Sequence, residues 1–197
     1  NWRKLDNAAL AFPLVTGEND TRVFRFYCQL KEEVDSDILQ QALDRTMEKY
    51  PLFQAVLRKG LFWFYLEHSH IRALVKPETE PPCSRLYIPD KKSLLFQVSY
   101  YKERINFEVF HALTDGTGAM HFLQELVQNY LILAHPKENF PEIRREKKTG
   151  RGNIEEDSFS QYYSSDIPKN REKKKAAVKL KGEKLVHSDM HISEVVL

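Results

Sequence analysis

Apolar and polar positions along the first 135 residues of the chain form patterns that predict both strands and helices. Residues 21–30 alternate from one position to the next, which predicts a strand with one buried face. The side chains expected on that buried face are those of Phe24, Phe26, Cys28 and Leu30. The opposite face is more polar, so this strand should be half-buried.

Two segments repeat apolar residues every three or four positions, which is the spacing of an amphipathic helix. The first segment begins near Asp35, whose carboxylate suits a helix N-cap. It ends before Pro51, because the residue preceding a proline is disfavoured in helical backbone. The second segment covers residues 119–134 and ends before Pro136.

Three further apolar segments predict strands. Residues 61–66 form a short aromatic run, and residues 94–101 and 105–110 flank a few polar residues as the arms of a hairpin would. Three prolines within residues 76–82 predict a loop instead. The resulting order of elements predicts an α+β fold, with a two-layer mixed sheet that carries its helices on one face.

Composition is typical of a globular protein and excludes several classes of function. Of the 197 residues, 42% are hydrophobic and 29% are charged, which argues against a disordered chain. The longest apolar run covers only residues 8–15, so we expect no membrane span. Two cysteines, Cys28 and Cys83, do not form a disulfide framework, and we therefore expect a cytoplasmic protein.

Basic charge is concentrated in residues 142–184, which hold 13 Lys and Arg against 8 Asp and Glu, although the whole chain carries a net charge of only +2. The segment is poor in apolar residues, and this composition favours a solvated connection between domains. A polyanion-binding arm is the competing interpretation. Because few aromatic residues lie nearby to stack on bases, we expect no nucleic-acid partner.

One group of residues has the types and spacing expected of a catalytic site. His111, Asp115 and Gly116 follow one another as His-x-x-x-Asp-Gly where the last predicted strand meets the second helix. A histidine at a strand end is held rigidly and titrates near neutral pH, so it suits general-base chemistry. Asp115 suits a helix cap or an ion pair with an arginine, and Gly116 permits a positive φ or a close backbone approach. The alternative for His111 is a structural histidine bonded to nearby backbone.

The remaining histidines do not favour a metal site. His121 and His135 lie on a separate helical segment from His111, and the spacing lacks the helix-borne pair typical of zinc enzymes. We therefore expect no bound metal. Four others are expected at the surface: His68, His70, His187 and His191.

The run from Phe107 to Phe122 resembles the HxxxDG signature of CoA-dependent acyltransferases of the chloramphenicol acetyltransferase-like fold. Alcohol acetyltransferases are the most similar members, and condensation domains belong to the same broad group. The predicted first strand, the helix from Asp37 and the helix exit at Tyr50 and Pro51 also resemble the start of that fold. The resemblance covers most of residues 1–135.

The resemblance implies an O-acyltransferase that moves an acyl group, most simply acetyl, from acyl-CoA to a small alcohol. It implies that His111 is the general base that takes the hydroxyl proton. Asp115 would be a structural residue held by an arginine, and Gly116 would let the helix start close to the site. Acyl-CoA would be a co-substrate, with no permanently bound cofactor.

The fold of this family has two lobes, and the resemblance implies that this chain supplies the first. We expect residues 1–141 to form that lobe, residues 142–184 the crossover and residues 185–197 the start of a second lobe, since no DFGWG-like motif occurs. Such a fragment should be inactive alone and could dimerise through its inter-lobe surface.

Two alternatives stay open. The first is a condensation domain or carrier-protein-dependent acyltransferase, although Phe110 stands where condensation domains commonly have a histidine before the one that His111 matches. The second is a non-catalytic interaction lobe of the same fold.

Overall fold

The structure is a computed structural model, and it describes residues 2–5, 9–18, 20–60, 63–89, 91–138 and 140. All of these lie in one compact unit of the chain, Asn1–Tyr163. The predicted crossover over 142–184 and the segment 185–197 lie outside the described residues, as do His187 and His191. No helix within the described ranges is long and apolar enough to cross a bilayer.

The described residues contain five successive strands between the second and third α-helices, an order expected of an α+β fold. The strands are β1 (Trp2–Lys4), β2 (Val23–Gln29), β3 (Ala55–Lys59), β4 (Phe64–His68), β5 (Val75–Pro77), β6 (Phe96–Tyr101) and β7 (Arg104–Phe110). The helices are α1 (Ala11–Val15), α2 (Ser36–Lys49) and α3 (Gly116–Ala134), and a turn of 3-10 helix covers Pro51–Phe53. The predicted α+β fold class is confirmed.

Helix α2 starts and stops where its sequence predicts. The Asp35 carboxylate accepts hydrogen bonds from the backbone N–H groups of Asp37 and Ile38, at 2.9 and 3.0 Å, and so caps the helix. Pro51 ends it by opening the 3-10 turn. The side chains that α2 buries repeat at helical spacing and are Leu39, Ala42, Leu43 and Thr46.

The main sheet is mixed, with the strand order β2-β7-β6-β5. Strands β6 and β7 form the predicted hairpin, but the turn holds only Lys102 and Glu103, and Lys102 adopts a φ of 50°. Strand β5 corrects the prediction of a loop over residues 76–82, because Val75–Pro77 pairs in parallel with β6. An edge strand tolerates Pro77, which has no N–H to donate.

A second, three-stranded antiparallel sheet has the order β1-β4-β3, where a single sheet was expected. Its strand β4 covers Phe64–His68 rather than the predicted 61–66. Pairing with β3, in which Leu57 lies opposite Leu66, sets these bounds. Strand β3 was not predicted, because its three apolar residues are too few to show a period.

Helices α2 and α3 cover one face of the main sheet, as predicted. The Phe122 ring lies at the centre of that layer, stacked on Phe107 at 4.7 Å and on Phe53 at 4.4 Å between centroids. Phe24 and Phe26 pack against the same core. Cys28 is only half-buried, contrary to the prediction of a buried side chain, because β2 is an edge strand.

The opposite face of the main sheet buries a carboxylate, which no sequence pattern predicted. Glu108 of β7 is fully buried, and its oxygens accept hydrogen bonds from Arg25 Nε at 2.9 Å, from the backbone N–H of Cys83 at 2.5 Å and from Gln97. Arg25 also pairs with Glu78 at 2.5 Å. These bonds tie the segment after β5 to the sheet.

Glu78 joins two cations in this network. Its carboxylate pairs with Arg25 and, at 2.6 Å, with Arg104. Burial raises the pKa of Glu78, but the hydrogen bonds from Arg25 and Arg104 outweigh burial and hold that pKa below its ordinary value of 4.5. Such a carboxyl stabilises the fold above its unfolded-state pKa, and this stabilisation is lost as the pH falls through the folded-state pKa.

We therefore expect Glu78→Gln to lower the free energy of unfolding by about 1–3 kcal/mol at pH 7, because Arg104 loses its carboxylate partner and Arg25 keeps only Glu108. Well below pH 4.5 the difference from the wild type should shrink, since Glu78 is then protonated as well. Urea unfolding of residues 1–197 at both pH values measures this. Glu67→Gln is the matched control, because its ion pair with Arg58 is exposed and should contribute less than about 1 kcal/mol. An equal loss for Glu78→Gln at both pH values would contradict the assignment.

Candidate active site at the end of strand β7

The imidazole of His111 is held at the end of β7 by backbone and by two aromatic rings. Its backbone N–H donates to the carbonyl of Arg22 at 2.9 Å. The ring is half-buried and stacks on Phe12, with 4.4 Å between centroids and planes 17° apart. Phe24 lies against it at 5.0 Å and 56°. No group in the described ranges hydrogen-bonds to the ring nitrogens.

Asp115 caps helix α3. Its carboxylate accepts a hydrogen bond from the backbone N–H of Gly118 at 2.8 Å, and its own backbone is extended. No arginine among the residues with described positions lies within ion-pair distance of Asp115. Of the two roles expected for Asp115, the structure therefore displays the cap, which fixes the turn between His111 and the helix.

Gly116 shows neither the positive φ nor the close backbone approach that was expected of it. Gly116 has no positive φ, and a Cβ there would meet only the Phe26 ring, at 4.0 Å. Gly118 is the glycine that its surroundings require, because a Cβ there would lie 2.1 Å from Thr114 Oγ1. Gly118 was not predicted as a site residue; a glycine inside a helix costs about 1 kcal/mol relative to alanine, and its presence at position 118 is the sequence signal that could have found it.

The two rings that hold His111 were not predicted as site residues. Phe12 belongs to α1, a five-residue helix in a segment for which the sequence analysis predicted no helix or strand. Phe24 was predicted on the buried face of its strand, but not next to the histidine. Helix α1 also exposes Leu14 and Val15, with 73% and 52% of each residue accessible, so apolar surface is present beside the site.

The other candidate residues of the described chain lie apart from His111. His68 and His70 pack against each other at the end of β4, with 5.3 Å between their rings. Within the described ranges, no three side chains of His, Cys, Asp or Glu are grouped as metal ligands. Burial, with the neighbouring Glu108 carboxylate, raises the pKa of the Cys83 thiol, so Cys83 is a poor nucleophile at neutral pH.

We expect Gly118→Ala to lower the free energy of unfolding by about 1–2 kcal/mol, because Thr114 must move and the Asp115 cap is disturbed. Gly116→Ala is the matched control and should be neutral or stabilising, by up to about 1 kcal/mol. Urea unfolding of both variants measures the difference. Adding Thr114→Ala should restore stability to Gly118→Ala, because it removes the clashing oxygen. Equal stability of the two single variants would refute the close approach at Gly118.

No protein-family model matches the chain, and no curated protein matches it in sequence. Solved structures do match. A variant of the starter condensation domain of rhizomide synthetase RzmA in complex with C8-CoA is 12% identical, with a TM-score of 0.58 over 69% of this chain and 37% of that one. The first condensation domain of the calcium-dependent antibiotic synthetase, solved with substrate analogue 2a, is 13% identical, with a TM-score of 0.56 over 75% and 41%.

Polyketide synthase associated protein 5 from Mycobacterium tuberculosis is also similar, with 18% identity and a TM-score of 0.52 over 73% of this chain and 36% of that one. The chain thus spans about two fifths of the length of the solved structures it matches. Identities this low establish the fold alone. The described residues adopt the fold shared by condensation domains and chloramphenicol acetyltransferase-like proteins.

Proposed function

We propose that this chain is the N-terminal lobe of an acyltransferase, which moves an acyl group from acyl-CoA to an alcohol with His111 as the general base. The observation that carries the proposal is the held imidazole of His111, which stacks on Phe12 and forms no ring-nitrogen hydrogen bond to any described residue. One solved relative of the same fold holds C8-CoA, which supports a CoA thioester as the donor.

Acyl transfer from a thioester to an alcohol requires a base within hydrogen-bond distance of the acceptor hydroxyl. The imidazole takes the proton from the acceptor hydroxyl, and the oxygen attacks the carbonyl carbon of the thioester. The C–S bond then breaks, and the imidazolium returns the proton to the leaving thiolate. A base in this role contributes about 10²–10⁴-fold to the rate. The aromatic rings of Phe12 and Phe24 orient the imidazole and keep one side of it dry. Acetyl is the simplest donor and a small alcohol the simplest acceptor.

Asp115 acts on the site through the backbone. Its bond to Gly118 fixes the start of α3 and therefore the path of the four-residue connection that follows His111. Asp115 is a positioning residue in this proposal, and Gly116 opens the helix directly after it. Neither needs to touch the substrate for His111 to act.

The proposal places the rest of the enzyme outside the described residues. Residues 1–141 are the lobe, residues 142–184 the crossover and residues 185–197 the start of the second lobe. The length of the solved relatives supports this division, because the chain spans about two fifths of each. The exposed side chains of α1 suit contact with a second lobe or, in the isolated fragment, with a second copy. Free Cys28 and Cys83 suit a reducing cytoplasm.

A carrier-protein-dependent condensation enzyme is the second candidate, because starter condensation domains are among the structural relatives. One observation weighs against it. Phe110, which precedes His111, is fully buried and stacks on Tyr87 with 5.5 Å between rings. That position therefore serves the core of the second sheet, where a condensation domain commonly has another histidine.

His111→Ala in the full-length parent is expected to lower turnover by at least about 10²-fold, because the hydroxyl loses its base. Thiol release from acetyl-CoA and longer acyl-CoA donors, with a panel of alcohols, measures this. His70→Ala is the matched control, since His70 is exposed and remote in sequence. Residues 1–197 alone should give no turnover. Near-normal rates for His111→Ala would reject the base, and exclusive use of a carrier-bound donor would favour the second candidate.

Phe12→Ala should lower kcat between about 10- and 100-fold in the parent, because the imidazole loses the ring that fixes its plane. Phe12→Tyr keeps the stacked ring and should retain most activity. NMR of residues 1–197 gives a second readout, since removing the Phe12 ring current should shift the His111 ring protons. Leu14→Ala, on the same helix but exposed, is the control. Unchanged His111 resonances in Phe12→Ala would refute the stack.

A further inference from the structure

A concave site lies at the opposite edge of the main sheet from β2, the strand that carries Phe24. The cleft has a volume of about 400 Å³ and opens beside the edge strand β5, between the chain leading into β5 and the segment before β6. Ala73, Phe96 and Val98 form its floor, and all three belong to the main core. This volume lies within the range of small-molecule sites.

The walls of the cleft carry charge of one sign. The cationic side chains that line it are Arg72, Lys76, Arg85, Lys91 and Lys92. Among the described residues, no acidic side chain lines the cleft. Residues 1–141 hold 17 Lys and Arg against 18 Asp and Glu, so this local excess does not follow from a basic lobe. A concave surface lined by one sign of charge focuses the potential and attracts counter-ions.

Most of this charge is not neutralised by ion pairs with other described residues. Arg72 pairs with Asp44 at 2.7 Å, and Arg85 donates its Nε hydrogen to the carbonyl of Tyr87 at 2.8 Å. The three lysines form no ion pair with any residue whose position is described. Lysine ammonium groups repel one another, and at a concave surface this repulsion raises the free energy of the folded chain. Their grouping therefore favours a bound anion, which would offset the repulsion.

The rim of the cleft is also apolar. Ile71, Leu74 and Ile88 line it with 38%, 63% and 40% of each residue exposed. Exposed aliphatic side chains beside lysines that pair with no described carboxylate suit a ligand that has an anionic head and an apolar body. The aromatic ring of the floor, Phe96, is 96% buried, so the cleft lacks the exposed stacking rings of a nucleic-acid site.

We propose that this cleft binds an organic phosphate, with the phosphate oxygens on Lys76, Lys91 and Lys92 and the body of the ligand on Leu74 and Ile88. A phosphate fits better than a single carboxylate, because a dianion can engage several cations at once. The nucleotide end of acyl-CoA and a free phosphorylated metabolite share this chemistry. Only the CoA arm of the test rests on the acyltransferase proposal.

Calorimetric titration of residues 1–197 tests the site with four probes: CoA, adenosine 3′,5′-bisphosphate, pantetheine and inorganic phosphate. We expect CoA and the bisphosphate to bind, with affinity that falls as salt rises, and pantetheine not to bind. Binding of CoA and the bisphosphate with equal affinity assigns the site to a nucleotide phosphate. Tighter binding of CoA shows that the pantetheine arm adds contacts, and both results support the proposal.

The triple variant Lys76→Gln, Lys91→Gln, Lys92→Gln should weaken binding at least tenfold. The matched control removes three exposed lysines elsewhere, by Lys31→Gln, Lys59→Gln, Lys137→Gln, and should bind nearly as the wild type does. Leu74→Asp should also weaken binding, because it adds an anion and removes apolar surface. Equal affinity of the two triple variants, or no binding of CoA and the bisphosphate, would overturn the proposal. His111→Ala should leave binding unchanged, so failure of this site and failure of the catalytic base are separable.

Discussion

The buried carboxylate of Glu108 is the constraint on which the described structure depends most. A charge with no solvent contact is tolerated only when it is paired and hydrogen-bonded. Glu108 meets this condition by drawing Arg25 from β2, Gln97 from β6 and the backbone of Cys83 to one point. It thereby joins three strands of the sheet to the segment that follows β5. Strand β7 carries Glu108 on one face and the Phe107 ring on the other, so both layers of the lobe are fixed through this one strand.

Strand β7 also holds the candidate active site in place. His111 follows β7 directly, and the cap between Asp115 and Gly118 fixes the helix that comes next. Between these two anchors the chain has little freedom, and the ring of Phe12 then sets the plane of the imidazole. A base needs this arrangement, because a small displacement from the hydroxyl costs more rate than a change in its basicity.

The candidate active site and the cationic cleft lie at different edges of one sheet. The histidine is beside β2 and β7, whereas the cationic cleft is beside β5 and β6. The cleft depends on the parallel pairing of Val75–Pro77 with β6, which places the two cationic segments on either side of a shared apolar floor. The connection between β5 and β6 also contributes Glu78 and Cys83 to the network around Glu108. Hydrogen bonds therefore fix this connection against the sheet, and several of its other residues line the cleft.

The sequence by itself determined helix α2, the hairpin of β6 and β7, and the position of His111 where a strand meets a helix. These features depend on residues close together in the chain, such as Asp35 with Ile38 or Asp115 with Gly118, whose spacing is set by backbone geometry. Only the tertiary structure decided the second sheet, strand β5, the pairing of Phe12 with His111 and the burial of Glu108. Each of these joins residues far apart in sequence, and local periodicity carries no information about such contacts. The close approach at Gly118 was not predicted either, although Thr114 is only four residues away, because the clash exists only once the turn after His111 has its final shape.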